Sequence, residues 1–328
     1  MNTILVVGSN SFSGATFVDF ALQQGANVIG TSRSNEPITP FLPYKWHGDT
    51  DFKFYPFDLN IHLSEIISLM HEAKPAYVVN FSAQSMVAES WLSPADWFMT
   101  NVVSTVRFHD ELRKCDFLKR YVHVSTPEVY GSCSGFVRED FPFNPSTPYA
   151  VSRAAADMSL RTFRAAYNFP VVTTRAANVY GPGQQLYRII PRAILFILLG
   201  KKLQLHGGGV STRSFIHMRD VSDATYRIMQ DGQDGDTYHI STNEAISIKS
   251  LVERICVKLG VIFEEHVEVV GERIGKDAAY HLDSTKVRTL LGWQDHTSLD
   301  QGLDECIAWV KSNFDALKAE PYDYLHKA

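Results

Sequence analysis

The chain has 328 residues, with 31 Lys and Arg against 36 Asp and Glu, a formal net charge of -5, 45% hydrophobic residues and 20% charged ones. That length exceeds the size at which one core usually stops growing, so two lobes are expected, and the mildly acidic balance argues against nucleic acid or an acidic membrane as partner. The longest apolar run, residues 193–199, is too short to span a bilayer, and the opening Met1-Asn-Thr-Ile-Leu-Val-Val lacks the flanks of a signal peptide, so a cytoplasmic protein is expected.

Thr3–Val7 reads as a short β-branched strand, and residues 14–24, apolar at helical spacing and ended by Gly25, as the first helix. Strands at Asn27–Thr31 and 53–57 precede a helix over Leu63–Ala73 that Pro75 closes. Residues 76–81 are almost continuously apolar, as in a strand buried on both faces; residues 97–113 follow as a long helix and 121–125 as a strand. A helix over 149–167 and a strand over 171–175 complete the alternation, which predicts an α/β fold with a doubly wound parallel sheet. Beyond this the pattern loosens: a turn-rich crossover at 178–182, a helix at 189–200, a Gly207-Gly208-Gly209 loop, a short strand at 214–218, and helices at 247–259 and 283–291 in a smaller lobe. Residues 320–328 read as a surface extension. Cys115, Cys133, Cys256 and Cys306 show no metal or disulfide spacing and fit a reducing compartment, and the 12 histidines form no metal pattern.

Between the first strand and first helix lies Gly8-Ser-Asn10-Ser11-Phe12-Ser13-Gly14, where a dinucleotide pyrophosphate would meet a helix N-terminus. Gly8 suits the tight turn and Gly14 close helix–strand packing, while Ser11 replaces the usual middle glycine and offers its hydroxyl to a phosphate. The second strand ends in Thr31-Ser32-Arg33-Ser34 instead of the acidic residue that binds a ribose 2′-hydroxyl. A guanidinium binds a 2′-phosphate bidentately, so NADP is favoured, with NAD as the alternative. Asp58 and Leu59, after the third strand, would then lie near the adenine.

The densest chemistry lies in Ser125-Thr126-Pro127-Glu128-Val129-Tyr130-Gly131 and Tyr149-Ala-Val-Ser-Arg153. A Tyr hydroxyl titrates near 10 unaided, so it works as a base at neutral pH only beside a positive charge. Tyr149 and Arg153, at i and i+4 on one helix face, have that arrangement.

These motifs resemble the extended short-chain dehydrogenase/reductase family, in particular its nucleotide-sugar 4,6-dehydratases, over nearly the whole chain. Asn80-Phe-Ser82-Ala83-Gln84-Ser85 is similar to the segment lining the nicotinamide, and Arg175-Ala-Ala-Asn178-Val-Tyr-Gly181-Pro182 to the crossover approaching the sugar nucleotide. Arg213-Ser-Phe-Ile-His217 and Glu272-Arg273-Ile-Gly275-Lys-Asp277 resemble substrate-diphosphate segments, and Asp283-Ser-Thr-Lys286 with Leu291-Gly-Trp293 the C-terminal signature. The resemblance implies a Rossmann-type NAD(P)-binding domain over 1–175, with a return segment near 214–243, and a nucleotide-sugar lobe over 176–213 and 244–328. It implies Tyr149 as base for the sugar 4-hydroxyl, Thr126 bonded to that hydroxyl, Glu128 as base at C5, and Ser85, Asn178, Arg188, Arg192, Arg213 and Arg273 toward the substrate. It also implies a homodimer, paired through the helices over 97–113 and 149–167.

Two departures stand out. Pro127 replaces the Asp that many of these enzymes use to protonate the departing 6-hydroxyl, a feature shared with GDP-mannose dehydratases. Arg153 replaces the usual Lys; it keeps the charge but cannot pass a proton. The expected activity is a 4,6-dehydratase, leaning to GDP-N-acetylglucosamine or GDP-mannose. The alternatives are a UDP-glucuronate decarboxylase or a 4-epimerase, and a non-catalytic NADP-binding regulator.

Overall fold

The computed structural model describes residues 2–327 apart from 49, 134 and 272–280. Five strands lie in the first part of the chain: β1 (Thr3–Val7), β2 (Asn27–Thr31), β3 (Lys53–Tyr55), β4 (Tyr77–Asn80) and β5 (Arg120–Val124). With Val171–Ala176 and Thr237–Ile240 they form one seven-stranded parallel sheet, in the order Thr237–Ile240, Val171–Ala176, β5, β4, β1, β2, β3. The order reverses at β1, so the crevice beyond its carboxyl end, between β4 and β2, is the topological switch point where α/β sheets receive ligands.

Both faces of the sheet are covered, which explains the near-continuous apolar strands. On one side Ile4, Val6, Val28, Val79, Val122 and Val172 pack with α1 (Phe12–Gln23) and the later helix α7 (Met218–Asp231). On the other, Leu5, Val7, Ile29, Val78 and Tyr121 pack with α2 (Leu63–Ala73) and with Phe108 and Leu112. The long helix expected over 97–113 is three consecutive segments: α3 (Pro94–Phe98), a π-helical stretch (Met99–Ser104) and α4 (Thr105–Leu112). α5 (Pro148–Tyr167) packs beside it, capped by Thr147, whose hydroxyl accepts from Ala150 N at 3.1 Å.

A second core gathers α6 (Ile189–Leu198), α8 (Ile248–Leu259) and the helix Leu299–Ser312 around Ile190, Ile194, Leu251, Ile255, Leu303 and Val310. The crossover read as turns contains the strand Asn178–Tyr180, paired in parallel with Phe215–His217. The reading of 320–328 as a surface extension agrees with the described residues, since 321, 323 and 325–327 are exposed. The segment is nonetheless held: Tyr322 packs against the second core, Arg192 donates to Tyr322 O at 3.3 Å and Gln84 to Lys327 O at 2.7 Å.

Candidate active site

The turn after β1 is built for close approach of backbone. Gly8 has φ +83°, and a Cβ there would sit 2.7 Å from Ser82 N; one on Gly14 would sit 2.2 Å from Gly8 O. Ser11 caps α1, its hydroxyl accepting from Gly14 N at 3.0 Å and donating to Gly8 O at 2.7 Å. The hydroxyl read as a phosphate donor thus takes part in the cap of α1. Asn10 ties the turn to the end of β2: its N–H donates to Ser32 Oγ at 3.0 Å and its amide to Ser34 O at 3.0 Å. Asp58 accepts from Asn60 N at 2.8 Å, and Leu59 is buried in the sheet core. Arg33 donates to Lys327 O at 2.8 Å, and Lys327 Nζ lies 3.2 Å from Ser34 Oγ.

At the end of β5 a short 3₁₀ turn, Pro127–Tyr130, carries Glu128, and Thr126 caps it by accepting from Glu128 N at 3.4 Å. Tyr149 follows Pro148 at the first turn of α5, buried and hydrogen-bonded with Thr126. Burial first, then the Glu128 charge, pushes its phenol up to about 12, against the pull of Arg153, Thr126 and Arg188. Arg153 is itself buried, with its guanidinium donating to Val124 O and lying 3.5 Å from His123 Nε2.

Behind Arg153 runs a buried polar row. His123 Nε2 lies 3.3 Å from Asp157, which accepts from Ser125 Oγ at 2.8 Å and Arg175 at 2.7 Å; Arg175 also bonds Tyr130, which in turn meets His239 at 2.7 Å. Burial alone would raise Asp157, but Arg175 and His123 hold its carboxyl well below the usual range, while burial pushes His123 down. The sequence reading missed this row; Asp157, a charge on the apolar face of α5, was its only signal.

One cavity of about 960 Å³ joins these groups. It runs from Ser11, Phe12 and Ser13 past Ala83 and Ser85 to Thr126, Glu128, Tyr149 and Arg153, and on to Asn178, Arg188, Arg192 and Arg213. Arg188 acts on the Tyr149 phenol; Arg192 is held by Asp323 at 3.0 Å, and Arg213 donates to Thr212 O at 2.8 Å. Glu89, Tyr187 and Lys202 also line it, and none was anticipated. Ser82 N donates to Asn80 Oδ1 at 2.9 Å. Gln84, expected near the nicotinamide, has a buried side chain that donates to Lys327 O, and Asn101 of the π-helical stretch clamps its backbone at 2.9 and 3.0 Å. Arg273 lies outside the described residues. Among the described residues no cluster of His, Cys, Asp or Glu could hold a metal, and no helix is long and apolar enough to cross a membrane.

A family model described as GDP-mannose 4,6 dehydratase matches residues 5–306. A dTDP-glucose 4,6-dehydratase of Xanthomonas campestris pv. campestris is 30% identical over 95% of this chain and 94% of its own. One from Haemophilus influenzae is 28% identical over 95% and 99%. The structure is similar to that of Bacillus anthracis dTDP-glucose 4,6-dehydratase in complex with NAD, with a TM-score of 0.87 and 29% identity over 97% of this chain and 99% of that one. The Streptomyces venezuelae dTDP-glucose 4,6-dehydratase, also with NAD bound, gives a TM-score of 0.87 at 28% identity over 96% and 98%.

Proposed function

Since the chain belongs to the GDP-mannose 4,6-dehydratase family, within the extended short-chain dehydrogenases/reductases, we propose that it converts a nucleotide-diphosphate hexose to its 4-keto-6-deoxy form. The observation that carries this reading is the shared cavity wall of Tyr149, Thr126 and Glu128, with the carboxylate near enough for its charge to act on the phenol.

The first turn fits a dinucleotide: Gly8 lets the turn lie close against the Ser82 backbone, and the N-terminus of α1 would face a pyrophosphate. Gly8, Asn10, Ser11, Phe12, Ser13 and Gly14 would hold the pyrophosphate side, Ser82 and Ala83 the nicotinamide side, and Asp58 with Leu59 the adenine. When bound, that group would supply the acceptor for the C4 hydride and the donor of the same hydride at C6. NADP is favoured over NAD because Ser32, Arg33 and Ser34 end β2 beside Lys327, and the next carboxylate along the chain, Glu36, is engaged by Tyr44 at 2.8 Å and Lys45 at 2.5 Å.

Tyr149 takes the proton of the 4-hydroxyl, which Thr126 orients, and Arg153 stabilises the phenolate. The ketone formed at C4 acidifies the C5 hydrogen, which Glu128 removes. With Pro127 buried where an acid would stand, Glu128 also delivers a proton to the departing 6-hydroxyl. The proton on Tyr149 passes to solvent and C5 takes one proton from solvent, so one water leaves and the product carries one solvent-derived hydrogen at C5. Arg188, Arg213 and Arg273 would meet the diphosphate, and the GDP-sugar preference rests on the absent acid. Glu89 in the same cavity opposes a uronate carboxylate by like charge.

The test is mass spectrometry of GDP-N-acetylglucosamine, GDP-mannose, dTDP-glucose, UDP-N-acetylglucosamine, CDP-glucose and UDP-glucuronate incubated with the enzyme in D₂O. Loss of one water with one deuterium gained at C5, on a GDP-sugar, is expected; the same result on dTDP-glucose alone would move the base preference. Glu128→Gln should let reduced cofactor accumulate while product formation falls roughly 10²–10⁴-fold. Loss of carbon dioxide would make the chain a decarboxylase, and no cofactor reduction at all would leave the regulator.

A further inference from the structure

Residues 322–327 cross the mouth of the switch-point crevice. Tyr322 is anchored at the substrate lobe, where Lys201 Nζ lies 4.5 Å from its ring centroid and the Phe196 ring 5.7 Å away. Tyr324 then packs edge-on against Tyr187 at 5.4 Å, and its hydroxyl lies 3.4 Å from Gln84 Oε1. His326 stacks on the buried Trp97 at 5.0 Å with a 15° interplanar angle, and pairs with Asp96 at 2.7 Å. Lys327 O accepts from Gln84 Nε2 at 2.7 Å and from Arg33 at 2.8 Å.

These last two contacts define what the segment does. Gln84 follows β4 and Arg33 follows β2, the two strands that flank β1. A single peptide carbonyl therefore joins both rims of the crevice whose floor is the Gly8 turn. We propose that residues 322–327 form a strap that encloses the bound dinucleotide and slows its release, with His326 on Trp97 and Asp96 as its latch. The cavity reaches Ser11, Phe12, Ser13 and Ala83, and none of residues 322–327 lines it, so the strap crosses the crevice on its Arg33 and Gln84 rims and leaves the side toward Ser11 and Ala83 open. The chemistry supplies the reason for such a device. Hydride taken from C4 is returned to the same molecule, so a dinucleotide that left between the two steps would strand a reduced carrier and a keto intermediate. The inference rests on dinucleotide binding, not on which sugar is used.

The experiment is stopped-flow release of NADPH, and separately of NADH, followed by the fluorescence of the bound reduced nicotinamide after mixing with excess oxidised dinucleotide. Full-length His326→Ala, Asp96→Asn and a chain ending at Glu320 are compared with the wild type, each first checked for an unchanged melting temperature. Release should be on the order of tenfold faster in all three. Release within about twofold of the wild type, or slower release, would overturn the strap. If one substitution unfolds the protein, the other two still decide. A wild-type chain that binds neither NADPH nor NADH would remove the dinucleotide reading and the strap with it.

Discussion

Arg153 is the residue whose consequences are easiest to isolate. Its guanidinium is fixed on Val124 O, beside His123 and the Asp157–Arg175 ion pair, and its positive charge acts on the phenol. That charge opposes the burial and the Glu128 carboxylate, which together push Tyr149 up to about 12. A base is active when deprotonated, and its rate below the pKa falls as the pKa rises. Arg153→Met should therefore shift the rising limb of kcat/KM to higher pH and lower the rate at neutral pH roughly 10²-fold, while Arg153→Lys should leave the limb in place. Glu128→Gln removes a charge that raises the phenol, so reduction of bound cofactor in that variant should move its limb the other way, to lower pH. Full pH profiles of single-turnover cofactor reduction check both signs.

At the scale of elements, the site depends on turns and breaks that let chain segments approach closely. The first turn brings Gly8 against Ser82, joining the ends of β1 and β4. Gly8→Ala meets both a φ of +83° and a Cβ 2.7 Å from Ser82 N, so it should destabilise the fold by roughly 1–3 kcal/mol and abolish dinucleotide retention. Thermal unfolding and fluorescence titration measure the two effects. The π-helical stretch Met99–Ser104 works similarly, since its extra residue per turn places Asn101 where it holds Gln84 and donates to Ser152 Oγ of α5 at 3.0 Å.

For the whole molecule, the remaining question is assembly. The outer surface of the paired helices exposes Phe98 (38%), Met99 (46%) and Val103 (38%) beside Val151 (39%) and Met158 (56%) on α5. A cluster of large apolar side chains on a soluble surface marks an interface. We propose that two copies pair here into a four-helix bundle. Val151→Glu with Met158→Glu should convert a dimer to a monomer by light scattering on a sizing column; a wild-type monomer would refute the pairing.

The periodicity of the amino-acid sequence and its glycines were enough for the parallel sheet and its helices, because strand period, helix spacing and turn conformation are local properties of the chain, and the Thr126-Pro-Glu128 and Tyr149-x₃-Arg153 spacings suggest the proton-handling set proposed above. Local patterns do not tell which partner a side chain finds in the fold. Ser11 caps α1 with its hydroxyl, and Gln84 is held by Asn101 and Lys327. Asp157, Arg175 and His123 are scattered in sequence and become one charged row only when β5, α5 and the strand Val171–Ala176 pack together. Residues 322–327 show no periodic pattern at all. Their place across the crevice was decided by tertiary structure alone, because the residues that hold them, Arg33, Gln84, Asp96 and Arg192 among them, lie more than a hundred positions away along the chain.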